Sequence, residues 1–135
     1  MTDYVIDTNT LSNLVKNPSG ALQNRVNNTV SNGSKLWVSE AVQYEVERGL
    51  RKKGATKQLE VFRNQVLPTF SVVAVDWVTW DAAADLWVLA ANKGRQLADV
   101  DLLVAALAIR LSAVIVSHDR DYDAFPSIPV EDWLK

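Results

Sequence analysis

Apolar residues come in short clusters along this chain, and the spacing of each cluster predicts an element. Tyr4-Val5-Ile6 is a run of three β-formers that ends abruptly on Asp7, with the small polar Thr8-Asn9 behind it. That pattern predicts a short buried strand presenting a carboxylate at its C-terminal end, either for a site or as the cap of the helix that follows. Thr8 and Thr10 are suited to cap the following helix, which carries Leu11, Leu14 and Val15 and stops before Pro18. Leu22, Val26 and Val30 recur every fourth residue among Asn, Gln and Ser, the narrow stripe of an amphipathic helix ended by Asn32-Gly33. Leu36-Trp37-Val38 predicts a second strand, and Ser39 caps a helix with Val42, Val46 and Leu50 on one face. Leu59, Phe62 and Val66 predict a further helix closed by Pro68, and the run from Phe70 to Val75 a third strand. Thr79 is placed to cap a helix running through Ala82-Ala83, Leu86, Leu89 and Ala90 to Gly94. Trp77, Trp80 and Trp87 lie in or beside that helix; core packing is their expected use, with a dimer or partner surface as the alternative.

The most apolar segment, from Leu102 to Ile109, is apolar almost all round and predicts a buried central helix opened by Asp99-Val100-Asp101. Asp99 suits its N-cap and Asp101 its first turn. Ala113 to Ser117 is a continuous apolar run, as a buried parallel strand requires. An acidic loop, His118 to Asp123, and a tail with at most one short strand complete the chain. Strands alternating with helical stretches predict an α/β fold with a mostly parallel sheet covered on both faces.

The length of 135 residues fits one domain, spanning 1–135, and 48% hydrophobic with 22% charged residues fits a folded soluble protein. The absence of cysteine excludes disulfides, thiol catalysis and Cys-ligated zinc, and fits a cytoplasmic protein. Met1-Thr2-Asp3 opens no secretory signal, and no apolar run reaches membrane-spanning length. A net charge of −2 argues against strong non-specific nucleic-acid binding, although acids gathered in one site would leave other surface locally positive.

The carboxylates fall at element ends. Asp7 follows the first strand and Asp119 the last, Glu45 lies in the helix after the second strand, and Asp101 opens the central helix. Strand C-termini of a parallel sheet share one edge, so these four acids can converge there. Together they would repel strongly unless a cation neutralised them. Hard oxygen donors without Cys or clustered His suit Mg²⁺ or Mn²⁺, which serve metal-assisted phosphodiester hydrolysis. His118, the one histidine, is read as a solvated loop residue. Arg51-Lys52-Lys53, with Arg48 beside it, is either a solvated helix end or an RNA phosphate contact.

Several segments together resemble the PIN-domain ribonucleases, and among them the VapC-type toxins of toxin–antitoxin pairs. They are Val5-Ile6-Asp7-Thr8-Asn9, Ser39 with Glu45-Val46 and Gly49, Gly94-Arg95-Gln96-Leu97, Asp101 to Ala106, Val114 to Asp119, and Glu131-Asp132-Trp133. The resemblance implies a three-layer α/β/α sandwich and Mg²⁺- or Mn²⁺-dependent endonucleolytic cleavage of RNA. It implies Asp7, Glu45, Asp101 and Asp119 as metal-binding and catalytic acids, supported by Thr8, Asn9 and Ser117. Asp121 is a candidate extra acid, and which of Asp119 and Asp121 reaches the metal is left open. It further implies a homodimer and a VapB-like antitoxin whose C-terminal segment covers the active-site groove. Two other readings stand beside it. An aspartate-nucleophile phosphatase also places Asp then Thr after its first strand, but needs an acid where Asn9 stands. A catalytically silent domain would bind RNA or a protein partner only.

Overall fold

The computed structural model describes residues 1–134. Five strands, β1 (Tyr4–Ile6), β2 (Leu36–Ser39), β3 (Ser71–Val73), β4 (Val114–Val116) and β5 (Val130–Glu131), form one sheet in the order β3-β2-β1-β4-β5. Every pairing is parallel. Six α-helices accompany it: α1 (Thr8–Lys16), α2 (Ala21–Ser31), α3 (Glu40–Lys52), α4 (Thr56–Val61), α5 (Trp77–Asn92) and α6 (Asp99–Leu111). Successive residues of a strand point to opposite faces. Val5 and Ile6 are both buried, as are Ile115 and Val116, so helices cover the sheet on both sides. This is the expected α/β/α sandwich. α6 is buried from Leu102 to Ala108 and packs on β1, β2, α3 and α5.

The chain order places β2 and β3 on one side of β1, and β4 and β5 on the other. The topology therefore switches direction between β1 and β4. Open α/β sheets hold their ligands beyond the strand C-termini at such a switch. Ile6 pairs with Val116, and the Asp7 N–H donates to the Val116 carbonyl at 3.2 Å. Asp7 and Ser117 thus emerge side by side at the switch point.

The structure corrects several expectations. Of the cap candidates for α1, Asp7 does the capping, accepting from the Thr10 N–H at 2.9 Å, and Thr8 and Thr10 do not. Asp76, not Thr79, caps α5, accepting from both the N–H and the hydroxyl of Thr79. Ala98 is the cap residue of α6, without a side-chain bond, and Asp99 is the first helical residue. The helix expected through Leu59, Phe62 and Val66 is α4 followed by a π turn, Phe62–Val66, and a 3-10 turn, Leu67–Thr69. Pro68 has no N–H to give and its ring crowds the preceding turn, so regular helix cannot run into it. The wider π turn still buries both Phe62 and Val66. The strand expected over Phe70 to Val75 shortens to β3, an edge strand paired only with β2. The acidic loop contains a 3-10 turn, Arg120–Ala124.

The three tryptophans of α5 do not pack in the core. Trp77, Trp80 and Trp87 are 76%, 51% and 54% exposed. The buried face of α5 belongs to Thr79, Ala83, Leu86 and Ala90, mostly small residues that let α5 lie against α6. The tail is held by β5 and by Trp133, whose ring meets Tyr4 edge-on at 5.1 Å under the Arg25 guanidinium.

Candidate metal centre

Asp7 is buried at the end of β1 and fully engaged. One oxygen accepts from the Thr10 N–H; the other accepts from the Ser117 hydroxyl at 2.5 Å. Burial pushes its carboxyl above the ordinary range, the Ser117 hydroxyl and the Thr10 N–H oppose that, and the nearby Asp119 adds to it. Ser117 is the junction: its oxygen also accepts from the Asp119 N–H at 2.9 Å. Asp119 in turn caps the 3-10 turn, accepting from the Asp121 N–H at 2.9 Å. A carboxylate bonded two residues ahead folds the turn back on itself and brings Asp119 and Asp121 to one side.

There they meet Asp101 from the first turn of α6. One carboxylate oxygen from each of Asp101, Asp119 and Asp121 lies within 4.8 Å of the others. Both neighbouring acids therefore reach the centre, and Asp121 stands inside the group. Asp7 and Glu45 stand outside it, yet both act on it electrostatically. The Asp101 carboxyl is pushed up to about 6, first by burial and then by the charges of Asp119, Glu45, Asp121 and Asp7. Glu45 is itself paired with Arg48 at 3.3 Å.

The donor set fits a hard divalent cation. Adjacent ligands around such an ion at about 2.1 Å lie about 3 Å apart, so three oxygens within 4.8 Å of one another need to close by at most about 2 Å. All are carboxylates, the softer donors are missing, and the Thr8 hydroxyl next to Asp7 is buried without a hydrogen-bond partner. Asn9 is exposed and does not join the acids. His118 is exposed, as expected, but its Nδ1 lies 2.6 Å from Asp132 in the tail, away from the acid group.

Three residues had no assigned role in the sequence. Tyr122 is buried and its hydroxyl donates to Asp101 Oδ1 at 3.4 Å. Burial, with the charge of Asp101 next, holds its phenol well above the ordinary range, so it remains a donor. Arg95 reaches the acidic turn from the loop before α6. Lys16 lines a groove of about 220 Å³ between α1 and α3, together with Asn9, Glu45 and Lys53. The basic cluster divides accordingly. Arg48 is held by Glu45 and the Tyr44 ring, and Arg51 pairs with Glu47. Lys53 turns into the groove, and Lys52 is exposed.

Comparison with known proteins agrees with this fold. Residues 4–128 match the family model of the PIN domain. The fold is similar to VapBC2 from Rickettsia felis, bound to a DNA fragment from its promoter, with a TM-score of 0.85 at 19% identity over 96% of this chain and 98% of that one. DNA-bound VapBC from Salmonella typhimurium gives 0.85 at 24% identity, covering 98% and 99%. VapBC-5 from Mycobacterium tuberculosis gives 0.70 at 18% identity, covering 97% of each. A search of curated proteins gave no match. On the family match across almost its whole length, with the sheet order and helices described above, the chain belongs to the PIN domain family.

Proposed function

We propose that this protein is a metal-dependent endoribonuclease, the toxin of a VapBC-type toxin–antitoxin module, acting in the cytoplasm. The observation that carries the reading is the Asp101, Asp119 and Asp121 group at the topological switch, with Asp7 and Glu45 adding charge around it. These acids would hold Mg²⁺ or Mn²⁺. When bound, the cation supplies an activated water and charge stabilisation on the phosphate oxygens. Ser117 orients both Asp7 and Asp119; Tyr122 orients Asp101. The Thr8 hydroxyl and Asn9 border the site.

The RNA backbone would leave the centre along the groove between α1 and α3. Lys16 and Lys53 line it and have no partner among the described residues, whereas Arg48 and Arg51 are committed to acids and Lys52 lies outside it. The remaining partners are a VapB-like antitoxin, whose segment would cover this groove, and a second copy of the chain. The exposed Trp77, Trp80 and Trp87 give α5 an apolar face suited to that homodimer.

Incubation of purified protein with RNA, with Mg²⁺ or Mn²⁺ and with chelator, tests the reading. Cation-dependent internal cleavage by the parent, lost in Asp101→Asn, is expected. A folded parent that binds RNA but never cuts it would be the silent domain. Release of phosphate from a small monoester would favour the phosphatase, whose required acid is replaced by the exposed Asn9.

A further inference from the structure

The loop between α5 and α6 clasps the acidic turn. Gly94 takes a φ of +70°, a left-handed conformation that glycine adopts freely. The chain turns there so that Lys93 and Arg95 both reach Arg120–Ala124. Lys93 Nζ donates to the Ala124 carbonyl at 2.5 Å. Arg95 Nη2 lies 3.3 Å from the Arg120 carbonyl, 3.4 Å from the Asp121 carbonyl and 3.8 Å from Asp121 Oδ1. Six residues further along the same segment stands Asp101. Arg95 thus joins the stretch that carries one acid of the group to the stretch that carries the other two.

That junction works against a definite force. Three carboxylates at this spacing repel, and the repulsion pushes the turn away from α6. The cap bonds of Asp119 and Ser117 run within the turn and its strand, so they do not resist this motion. Across the gap stand the Tyr122 hydroxyl, the Lys93 ammonium and the Arg95 guanidinium; Lys93 ends on the Ala124 carbonyl, and among the described residues Arg95 is the cation paired with an acid of the group. One nitrogen, Nη2, faces two carbonyls and a carboxylate at once, and the planar guanidinium holds it in a fixed orientation that an ammonium on its flexible stem does not keep. Each contact is long and Arg95 is partly exposed, so each is worth little as stabilisation. Their consequence is geometric.

We infer that Arg95 is a positioning residue that holds the Asp119–Asp121 turn against α6, so that the three carboxylates are gathered close enough to converge on a cation before any cation arrives. This rests on the proposed reading of the acids as cation ligands.

The test is a Mn²⁺ titration of the full chain, followed by thermal shift and by calorimetry, on Arg95→Gln, Arg95→Lys and Lys93→Ala. Arg95→Gln should raise the half-saturating Mn²⁺ concentration about 10-fold, the low end for outer-shell partners of metal ligands. Arg95→Lys should recover part of the loss, because it keeps the charge without the fork. Lys93→Ala, which touches only the Ala124 carbonyl, should lower the Tm in chelator and leave half-saturation unchanged. Wild-type half-saturation in Arg95→Gln overturns the inference. If Arg95→Gln does not fold, Arg95→Lys decides in the same way, and failure of both to fold assigns Arg95 to general structure and overturns it. A parent chain that takes up no Mn²⁺ overturns the metal reading and this inference with it, an outcome separate from failure in the variants alone.

Discussion

Replacing Asp101 by Asn removes one charge from a position where burial and neighbouring acids oppose it. The Asp101 carboxyl is displaced from 3.8 up to about 6 by burial and by the surrounding acids. At about 1.4 kcal/mol per pH unit, that displacement corresponds to about 3 kcal/mol. Asp101 is only partly buried, and solvent screening brings the figure nearer 1 kcal/mol. The direction follows from linkage. The folded chain binds the Asp101 proton more tightly than the unfolded chain, so stability falls as pH rises through the window between the two values. The cost develops between about pH 4 and pH 6 and is complete above that. Asn carries no charge at any of these pH values, and its amide oxygen can still accept from the Tyr122 hydroxyl.

In chelator at pH 7.5, Asp101→Asn should therefore melt about 3–6 °C above the parent, taking about 1 kcal/mol for a domain of this size. The difference should shrink toward zero by pH 4. Mg²⁺ should reverse the ranking, because it binds the folded parent and stabilises it, by about 2.7 kcal/mol at a hundredfold excess over Kd. Differential scanning fluorimetry across pH, with and without Mg²⁺, reads all three arms. A mutant that melts below the parent in chelator at pH 7.5 would refute the reasoning. So would a gain that is equal at pH 4 and pH 7.5, since the gain would then not be electrostatic.

Three further outcomes are expected. Asp7→Asn should not lower the Tm in chelator, because Asn still caps α1, whereas Asp7→Ala should cost about 1–2 kcal/mol in thermal melts; both should lose RNA cleavage. Changing Lys16 and Lys53 together to Gln should reduce the slope of log affinity against log salt for single-stranded RNA by about 0.7 per lost phosphate contact, read by filter binding. Trp80→Ser with Trp87→Ser should convert a dimer to a folded monomer in sedimentation velocity, and a parent that is already monomeric would remove the α5 face from consideration.

What could be read from the sequence was what burial dictates. Two-sided burial makes β1 and β4 continuous apolar runs, and burial all round makes α6 unmistakable, so Asp7, Asp101 and Asp119 could be placed at the ends of identified elements. The cap of α5 lies three residues before Thr79: Thr and Asp are both good caps, and Asp76 is the one whose side chain does the capping. The tryptophans show the same limit from the other side. Composition reports that a residue is apolar, not whether a neighbouring helix is there to cover it. The parts of the site that escaped depend on contacts between distant residues. Tyr122 and Asp101 are 21 positions apart, and Arg95 and Asp121 are 26. Asp121 joins the group because a 3-10 turn follows Asp119, and an acidic loop read as irregular gives no sign of that turn.

The start of α6 shows how the fold keeps this site under electrostatic load. Asp99 and Asp101 both occupy its first turn, rotated from one another by about 200°. Asp99 is exposed beside Trp80, while Asp101 turns toward Asp119 and Asp121. A helix N-terminus favours a carboxylate by about 0.3–1 kcal/mol. Asp101 is nevertheless pushed up to about 6, so burial and the neighbouring acids outweigh the dipole at that position. The chain cannot relieve the load by moving Asp101 away. The seven residues that follow it are buried and packed on β1, β2, α3 and α5, so retreat would open the core. The movable half is the turn that carries Asp119 and Asp121, and Ser117, Tyr122 and Arg95 all bear on it. Rigid helix on one side and a tethered turn on the other leave two ways to lower the energy at fixed geometry: protonation of Asp101, or arrival of a cation. At neutral pH the first is unfavourable, and the second is what the donor set fits.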